Sequence, residues 1–162
     1  MLLRSLTAVL ILAGAAPALA AVQPRPLAPT ESVWKPAATP PGGVAWSVLE
    51  ATKEITRTGK DGFIYSKPAF TPQVQALKGR TVKVSGYMMP LQNGKMQTHF
   101  VLLAYPPDCP FHLNPAPTQF IEVKTSKPVA VSSGVTTIQG SLQLLGDDEG
   151  GVFYRIYDGR PA

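Results

Sequence analysis

The chain has 162 residues, of which 44% are hydrophobic and 15% are charged, so it can build one domain with a buried core and is too short for two. Its 17 prolines and 14 glycines argue against a helical bundle and favour short strands joined by turns. A single cysteine excludes a disulfide framework within the chain, and the net charge of +5 is modest. Composition therefore predicts a small β-rich domain and assigns no activity.

The first twenty residues have the pattern of an export signal. A short positive start over residues 1–4 precedes an apolar stretch over residues 6–16, and Ala18-Leu19-Ala20 forms a small-x-small cleavage site. The apolar stretch is shorter than the roughly 20 residues that a membrane-spanning helix needs. We therefore predict a signal peptide over residues 1–20, cleavage after Ala20, and a periplasmic or secreted mature protein with no membrane span. Retention of this segment as a membrane anchor is the alternative.

A proline-rich segment follows the signal. Residues 21–43 contain six prolines and few large apolar side chains. Such a stretch cannot bury enough surface to offset the entropy of ordering, and proline biases the backbone toward extended polyproline II. We therefore expect a disordered, flexible tether over residues 21–43 in front of a single domain over residues 44–162.

The N-terminal part of this domain shows helical patterns. Hydrophobic residues recur at roughly helical spacing over residues 44–56, which predicts a helix that ends before Gly59. Residues 63–65 are expected to form a short strand or an apolar plug. Residues 71–77 predict a single helical turn with Pro72 at its first position, where proline is favoured.

After Gly79 the hydrophobic period changes to two, as in β-strands. In the first strand Val82, Val84 and Met88 share one face, and Gly86 lies on that same face. A glycine there marks a bulge or a sharp bend, as when one strand serves two sheets of a small barrel. The predicted strands cover residues 81–88, 99–105, 119–123, 136–144 and 152–157. Five short strands after one helix predict a mainly β fold, a small five-stranded OB-like barrel.

The segment from Leu77 to Leu91 carries a recognisable motif. Its sequence LKGRTVKVSGYMMPL resembles the L-x-G-x-x-V-x-x-x-G-Y-x-x-P-L segment of a family of exported bacterial proteins catalogued as a domain of unknown function. Further similarities are a strand like residues 100–103, a cysteine-containing turn like residues 106–110, and a strand that ends in Gly140-Ser141-Leu142. The resemblance covers roughly residues 45–158 and implies export and an OB-like five-stranded barrel. It implies no established reaction.

The most informative candidate site lies in the connection over residues 105–117, which contains five prolines and holds Cys109 and His112. Prolines stiffen a loop by removing backbone freedom, and a stiff loop can hold side chains for binding. A thiolate and an imidazole three residues apart suit Cu(I) or Zn(II), and His99 and Met89 are candidates to complete the ligand set. In the family that the sequence resembles, this loop often holds a second cysteine close to the first, whereas this chain has His112 three residues after Cys109.

A structural role for the same residues is the alternative prediction. Cys109 and His112 supply only two ligands, whereas a stable metal site needs three or four. A free cysteine is commonly a buried small hydrophobic residue, and in an exported protein it can also bridge to another chain. Loop packing, metal binding and an intermolecular disulfide therefore remain open for Cys109.

No catalytic constellation is visible in the sequence. A Cys–His nucleophilic pair needs hydrogen-bond contact, which residues three apart in a proline-rich turn need not have. The acids at 147–149 lack the ligand spacing of a calcium loop, and there is no phosphate loop, nucleophile elbow or HExxH motif. The aromatic residues are scattered, and export removes the usual nucleic-acid ligand of OB barrels.

These observations predict an exported, non-enzymatic binding or accessory module without a cofactor. Its expected partner is an unknown periplasmic protein rather than nucleic acid. The second hypothesis is a periplasmic copper- or zinc-binding protein that uses Cys109 and His112 with His99 or Met89. The sequence identifies neither the partner nor the oligomeric state.

Overall fold

The computed structural model describes residues 35–107, 115–146 and 149–162. The chain forms two helices there, α1 (Trp46–Glu50) and α2 (Pro72–Gln75), and seven strands: β1 (Lys53–Thr58), β2 (Ile64–Ala69), β3 (Thr81–Pro90), β4 (Met96–Leu103), β5 (Phe120–Ala130), β6 (Val135–Leu144) and β7 (Tyr154–Pro161). Neither helix in this part of the chain has the length and apolar character to cross a membrane. The predicted signal peptide and much of the predicted tether lie outside the described residues.

Strands β3 to β7 form a closed barrel in the order β3-β4-β5-β7-β6. All neighbouring pairs are antiparallel except β5 and β7, which run parallel through Glu122–Arg155 and Val123–Ile156. A three-stranded meander followed by a hairpin that closes on both of its edges is the strand arrangement of the OB fold. The prediction of a mainly β protein with a five-stranded OB-like barrel is confirmed.

Strand β3 serves two neighbours in the barrel, as predicted. Its residues 81–87 pair with β6, and its residues 87–90 pair with β4. At Gly86, next to this switch, a β-carbon would stand 2.6 Å from the carbonyl oxygen of Leu103 and 2.7 Å from the Leu102 side chain. Only a hydrogen fits there, so glycine lets β3 and β4 approach each other as the sheet curls.

The barrel interior holds the hydrophobic core, and alternation along each strand supplies it. In β3, Val82, Val84 and Met88 are buried on the inner face, which confirms the face predicted for them. The other strands contribute Phe100 and Leu102 of β4, Ile121 and Val123 of β5, Ile138 and Leu142 of β6, and Tyr154 and Ile156 of β7. Each fully buried aliphatic or phenyl side chain stabilises the fold by about 1.5–3 kcal/mol relative to leaving it exposed.

Helix α1 closes the end of the barrel at which β4 finishes and β7 begins. Trp46 and Leu49 are buried in the core, and the Trp46 indole donates to the Ser85 carbonyl oxygen at 2.7 Å. The Tyr154 hydroxyl donates to the Leu49 carbonyl oxygen at 2.7 Å and lies equally close to the Thr52 hydroxyl. No side chain caps the start of this short helix, so packing on the barrel holds it in place.

The helix predicted over residues 44–56 is wrong beyond residue 50. Residues 53–58 instead form β1, which pairs with β2 in a two-stranded sheet that the sequence did not predict. The β-branched residues Ile55, Thr56 and Thr58 favour an extended backbone, and cross-strand pairing overrides a helical spacing that is only approximate.

Helix α2 confirms the predicted single turn. Pro72 is its first residue, and the Thr71 hydroxyl caps the turn by accepting a hydrogen bond from the Val74 amide at 3.3 Å. Val74 is fully buried against the core. The turn therefore anchors the chain just before it enters β3.

All five barrel strands are longer than predicted, and the largest difference is in β5. Strand β4 begins at Met96, before its predicted start, and β5 continues to Ala130, well past its predicted end. The pairing between them shifts register between Gln97 and His99, so β5 accommodates extra residues in a bulge. The sequence did not reveal this because residues 124–128 carry no alternating apolar pattern.

The domain packs further upstream than the boundary predicted at residue 44. Ala37 is buried in the core, and its amide donates to the Ala104 carbonyl oxygen at 2.8 Å. The Val44 amide donates to the Lys83 carbonyl oxygen, also at 2.8 Å. Residues 35–43, assigned to the tether on composition, therefore pack with the barrel because backbone hydrogen bonds and one small buried side chain hold them there.

Candidate functional site

An irregularity in β4 positions the His99 side chain. Gln97 is fully buried, and its side-chain amide bonds to the backbone of Gln92 and Gly94 in the connection between β3 and β4. The Gln92 side-chain oxygen accepts hydrogen bonds from the amides of Thr98 and His99, at 2.8 and 3.1 Å. These two glutamines satisfy the backbone where the ladder is interrupted, and they fix the point from which His99 projects.

His99, Glu122 and Arg155 form a hydrogen-bonded network across β4, β5 and β7. The Nε2 atom of His99 lies 2.6 Å from Oε1 of Glu122. The Nε and Nη2 atoms of Arg155 each lie 2.5 Å from Oε2 of the same carboxylate. The guanidinium also donates to the Tyr157 hydroxyl at 3.3 Å. Glu122 is therefore held by a partner on each side of its carboxylate.

Electrostatics favour the ionised form of Glu122. Burial raises the pKa of this carboxyl, but the hydrogen bonds from Arg155 and His99 outweigh burial and lower the pKa overall. Burial lowers the pKa of Arg155, whereas its bonds to Tyr157 and Glu122 raise it, with a net increase. Only 12% of the Glu122 side chain is exposed, so the pair is a largely desolvated contact on the barrel wall.

The network lies on the outer face of the barrel. Strand pairing aligns Met89, Val101, Glu122 and Arg155 in one row across β3, β4, β5 and β7. Their strand neighbours Met88, Phe100, Leu102, Val123 and Ile156 point into the core. His99 stands two residues from Val101 and is therefore a diagonal neighbour of Met89 on this face. Two of the residues predicted as metal ligands, His99 and Met89, therefore lie on the same face of the barrel.

Cys109 and His112 lie outside the described residues, so their role stays a prediction. The structure does describe both ends of their loop. The Glu50 carboxylate of α1 accepts a hydrogen bond from the Tyr105 hydroxyl at 3.2 Å and another from the Gln119 amide at 3.3 Å. Burial, and then the charge of Glu50, raise the pKa of Tyr105, which keeps this hydroxyl a donor. One carboxylate therefore ties both ends of the connection to α1.

The described residues alone do not make a metal centre. Among residues 35–107, 115–146 and 149–162, no three His, Cys, Asp or Glu side chains are grouped as a metal ion would require. The thioether of Met88 is buried in the core, as its apolar phase predicted. A metal site that used His99 and Met89 would therefore need ligands from outside the described residues, where Cys109 and His112 lie.

Sequence reasoning missed Glu122 and Arg155. Each is a charged residue in a strand that alternates apolar and polar side chains, and alternation marks such a residue only as outward-facing. Their contact depends on the parallel pairing of β5 with β7, which β6 separates along the chain. The available signal was the OB strand order itself, because it places the third and fifth barrel strands side by side.

Comparisons with known proteins identify a family and no activity. Among solved structures, the chain is similar to a DUF3299 family protein from Pseudomonas aeruginosa, with 20% identity and a TM-score of 0.40 over 59% of this chain and 67% of that chain. No match was found among curated proteins. Residues 33–151 match the family described as "Protein of unknown function (DUF3299)", in agreement with the resemblance carried by residues 77–91. The chain therefore belongs to the DUF3299 family.

Proposed function

We propose that this protein is a non-enzymatic binding module that acts outside the cytoplasm and contacts its partner through the outer face of β4, β5 and β7. The network of His99, Glu122 and Arg155 is the observation that carries the proposal. It is partly exposed and held in one geometry by hydrogen bonds on both sides of Glu122. Strands β4 and β5 are the second and third strands of the barrel. In OB folds the outer face of the second and third strands is a ligand surface.

The charges on this face suit an acidic partner. Glu122 and Arg155 compensate each other in their ion pair, whereas Lys124, which pairs with His99 across β5 and β4, has no ion pair with a described residue. Tyr157 is exposed beside Arg155 and adds an aromatic surface. Arginine and tyrosine are residue types that anchor protein interfaces. An acidic segment of a periplasmic protein therefore fits this face better than a basic one.

The surroundings of His99 support binding rather than catalysis. Its Nε2 atom is bound to Glu122, and no hydroxyl or thiol of a described residue hydrogen-bonds to the ring, so the nucleophile–base contact of covalent catalysis is not formed there. Both oxygens of Glu122 are occupied by His99 and Arg155, which leaves this carboxylate poorly placed as a general base.

Site-directed photo-crosslinking in the periplasm tests the proposal. A photoreactive phenylalanine derivative at Tyr157 should give one reproducible adduct with an acidic protein, because this side chain borders the proposed contact. Lys124→Gln, an exchange that leaves the network intact, should weaken binding of the purified partner. The same derivative at Tyr65, on the two-stranded sheet, is the matched control. Recovery of bare monomer from the Tyr157 derivative, or an adduct indifferent to Lys124→Gln, would contradict the proposal.

Metal handling is the second candidate, and the geometry of His99 favours it. Metal-ligating histidines usually have one ring nitrogen bonded to a carboxylate, which orients the other nitrogen toward the metal. Glu122 holds Nε2 of His99, so Nδ1 is the nitrogen available to a ligand. Met89 lies on the same face. Cys109 and His112 would complete a set suited to Cu(I) or Zn(II).

Metal analysis of protein purified from the periplasm tests this candidate. The wild type should carry stoichiometric metal and Cys109→Ser should lose it. A chelator should then accelerate alkylation of Cys109 in the native protein, because the thiolate that binds metal is also the reactive form. Absence of metal from both proteins, with thermal stability unchanged by added Cu(I) or Zn(II), would remove the candidate. Slow alkylation indifferent to chelator would instead support loop packing.

A further inference from the structure

The end of the barrel opposite α1 carries a second surface, apart from the outer face of β4, β5 and β7. This distal end consists of the β3–β4 connection (residues 91–95), the β5–β6 connection (residues 131–134) and the strand ends that flank them. The two connections are joined, because the Val131 amide donates to the Lys95 carbonyl oxygen at 2.8 Å. They therefore form one continuous surface rather than two separate loops.

Large apolar side chains are exposed on the distal end. The exposed fractions are 48% for Leu91, 52% for Met96, 39% for Val131 and 49% for Val135. Single exposed apolar residues are ordinary, but four at one end of the barrel, two in the connections and two at the strand starts beside them, are typical of an interaction surface. The hydrogen bonds of Gln92 and Gln97 hold the backbone of the first connection, next to Leu91 and Met96, in place.

A cleft opens in the barrel wall at the same end. Strands β5 and β7 pair only through a short parallel stretch, after which β5 continues along β4 and β7 along β6. Their diverging ends, residues 126–129 and 158–161, line a cleft of about 470 Å³. Pro128, Val129 and Pro161 make much of its wall apolar.

Positive charge surrounds these apolar features. Lys127 and Arg160 line the cleft, and Lys95 lies in the first connection. None of the three forms an ion pair with a residue in the described part of the chain. Asp158 is the one carboxylate that lines the cleft, and neither connection contains one. The distal end is therefore both apolar and cationic.

We infer that the distal end docks on the surface of a membrane that contains anionic phospholipid. Peripheral proteins bind such surfaces by inserting apolar side chains at the headgroup boundary while cations approach the lipid phosphates. Leu91, Met96 and Val131 would enter the boundary, and Lys127 and Arg160 would face the phosphates. This contact is independent of the partner-binding face proposed above and needs no membrane-spanning segment.

A second copy of the chain fits the distal end less well than lipid does. A two-fold contact would bring the same patch of each copy together, so the cationic patch of Lys95, Lys127 and Arg160 would lie against an equally cationic patch. Like charges across an interface cost free energy, and burial against an apolar surface would leave them unpaired. An anionic lipid surface accepts the apolar side chains and the cations together.

Vesicle co-sedimentation of the mature chain tests the inference. The protein should bind vesicles of phosphatidylglycerol mixed with phosphatidylcholine and not vesicles of phosphatidylcholine alone. Each of Lys95→Gln, Lys127→Gln and Arg160→Gln should weaken binding about fivefold, and raised salt should weaken it further. Leu91→Ser combined with Val131→Ser should weaken it by about tenfold or more. These side chains are exposed, so thermal melts should remain near those of the wild type.

Matched exchanges on the two-stranded sheet provide the control. Lys53→Gln and Phe63→Ser replace a cation and an exposed apolar residue outside the distal end, and both should leave vesicle binding unchanged. Equal binding to neutral and anionic vesicles, or loss of binding on Phe63→Ser but not on Leu91→Ser, would overturn the inference. So would vesicle-free self-association, measured by sedimentation, that the Leu91→Ser and Val131→Ser exchanges abolish.

Discussion

Gly86 stands where β3 changes partners, and backbone fills the space beside it. A β-carbon there would lie 2.6 Å from the Leu103 carbonyl oxygen. Gly86→Val should therefore lower the free energy of unfolding by about 2–4 kcal/mol, through overpacking and backbone strain. Gly134→Ala is the control, because a β-carbon at Gly134 would meet nothing within 4 Å, and it should stay within about 0.5 kcal/mol in denaturant melts. An equally small effect at Gly86 would show that the strands are not tightly apposed.

Glu122 should make stability depend on pH in acid. The folded-state pKa of this carboxyl lies below its ordinary value of 4.5, so the folded protein binds fewer protons than the unfolded chain in that range. Its contribution is therefore present above pH 4.5 and is lost as pH falls through the folded-state pKa. Glu122→Gln should cost about 1–3 kcal/mol at neutral pH, and its difference from the wild type should shrink in acid. Urea melts of both proteins across this pH range measure the difference in the free energy of unfolding. A difference that stays constant with pH would show that Glu122 does not cause the pH dependence.

At the scale of the element, α1 shows how a five-residue helix persists without a side-chain cap. An isolated helix of this length is unstable in water, so its position depends on buried contacts with the barrel. Trp46 and Leu49 supply the apolar contacts, and the Tyr154 hydroxyl supplies a hydrogen bond to the Leu49 carbonyl. The same helix carries Glu50, which accepts hydrogen bonds from Tyr105 and Gln119, so the docking of α1 also fixes the described ends of the connection between β4 and β5.

Tyr154→Phe tests this docking. Loss of the hydroxyl removes one of the two hydrogen bonds that the Leu49 carbonyl accepts, because the Thr52 amide still donates to it at 3.1 Å, and we expect a cost of about 0.5–1.5 kcal/mol. Burial raises the pKa of Tyr154 to about 12, against an ordinary value of 10.0. The folded protein therefore retains a proton that the unfolded chain loses above pH 10, and stability should fall as pH rises from 10 toward 12. In denaturant melts between pH 10 and 12, the free energy of unfolding should fall less steeply with pH for Tyr154→Phe than for the wild type. An identical slope would contradict a buried, protonated Tyr154 hydroxyl.

At the scale of the whole molecule, the domain boundary can be tested by truncation. A chain that begins at Val44 lacks the buried Ala37 side chain and the hydrogen bond from its amide to Ala104. Relative to a chain that begins at Lys35, it should lose about 1–3 kcal/mol in denaturant melts. A chain that begins at Ala21 should match the Lys35 chain, because residues 21–34 were predicted to be a tether. Equal stability of the Val44 and Lys35 chains would restore the predicted boundary.

Local patterns in the sequence were sufficient to predict the five-stranded barrel. Alternation in β3 identified the inward faces of Val82, Val84 and Met88, and a mid-strand glycine identified the close approach at Gly86. Both features can be predicted from sequence because they depend on short segments. Burial of one face of a strand gives an alternating apolar pattern over a few residues, and a close approach requires a glycine at one position. The motif over residues 77–91 marks the same strand, so the family signature and the fold rest on common residues.

Only the tertiary structure determined which distant residues lie next to each other, because no local pattern contains that information. Residues 53–58 became a strand because β2 was available to pair with them, and the helical spacing of their apolar residues could not report that partner. Glu122 and Arg155 meet only because closure of the barrel sets β5 beside β7. The distal end likewise gathers Leu91, Met96, Val131 and Val135 from two connections and strand ends that are far apart along the chain. Charge pairing and surface clusters depend on distances across the fold, and these are set only when the strands close into a barrel.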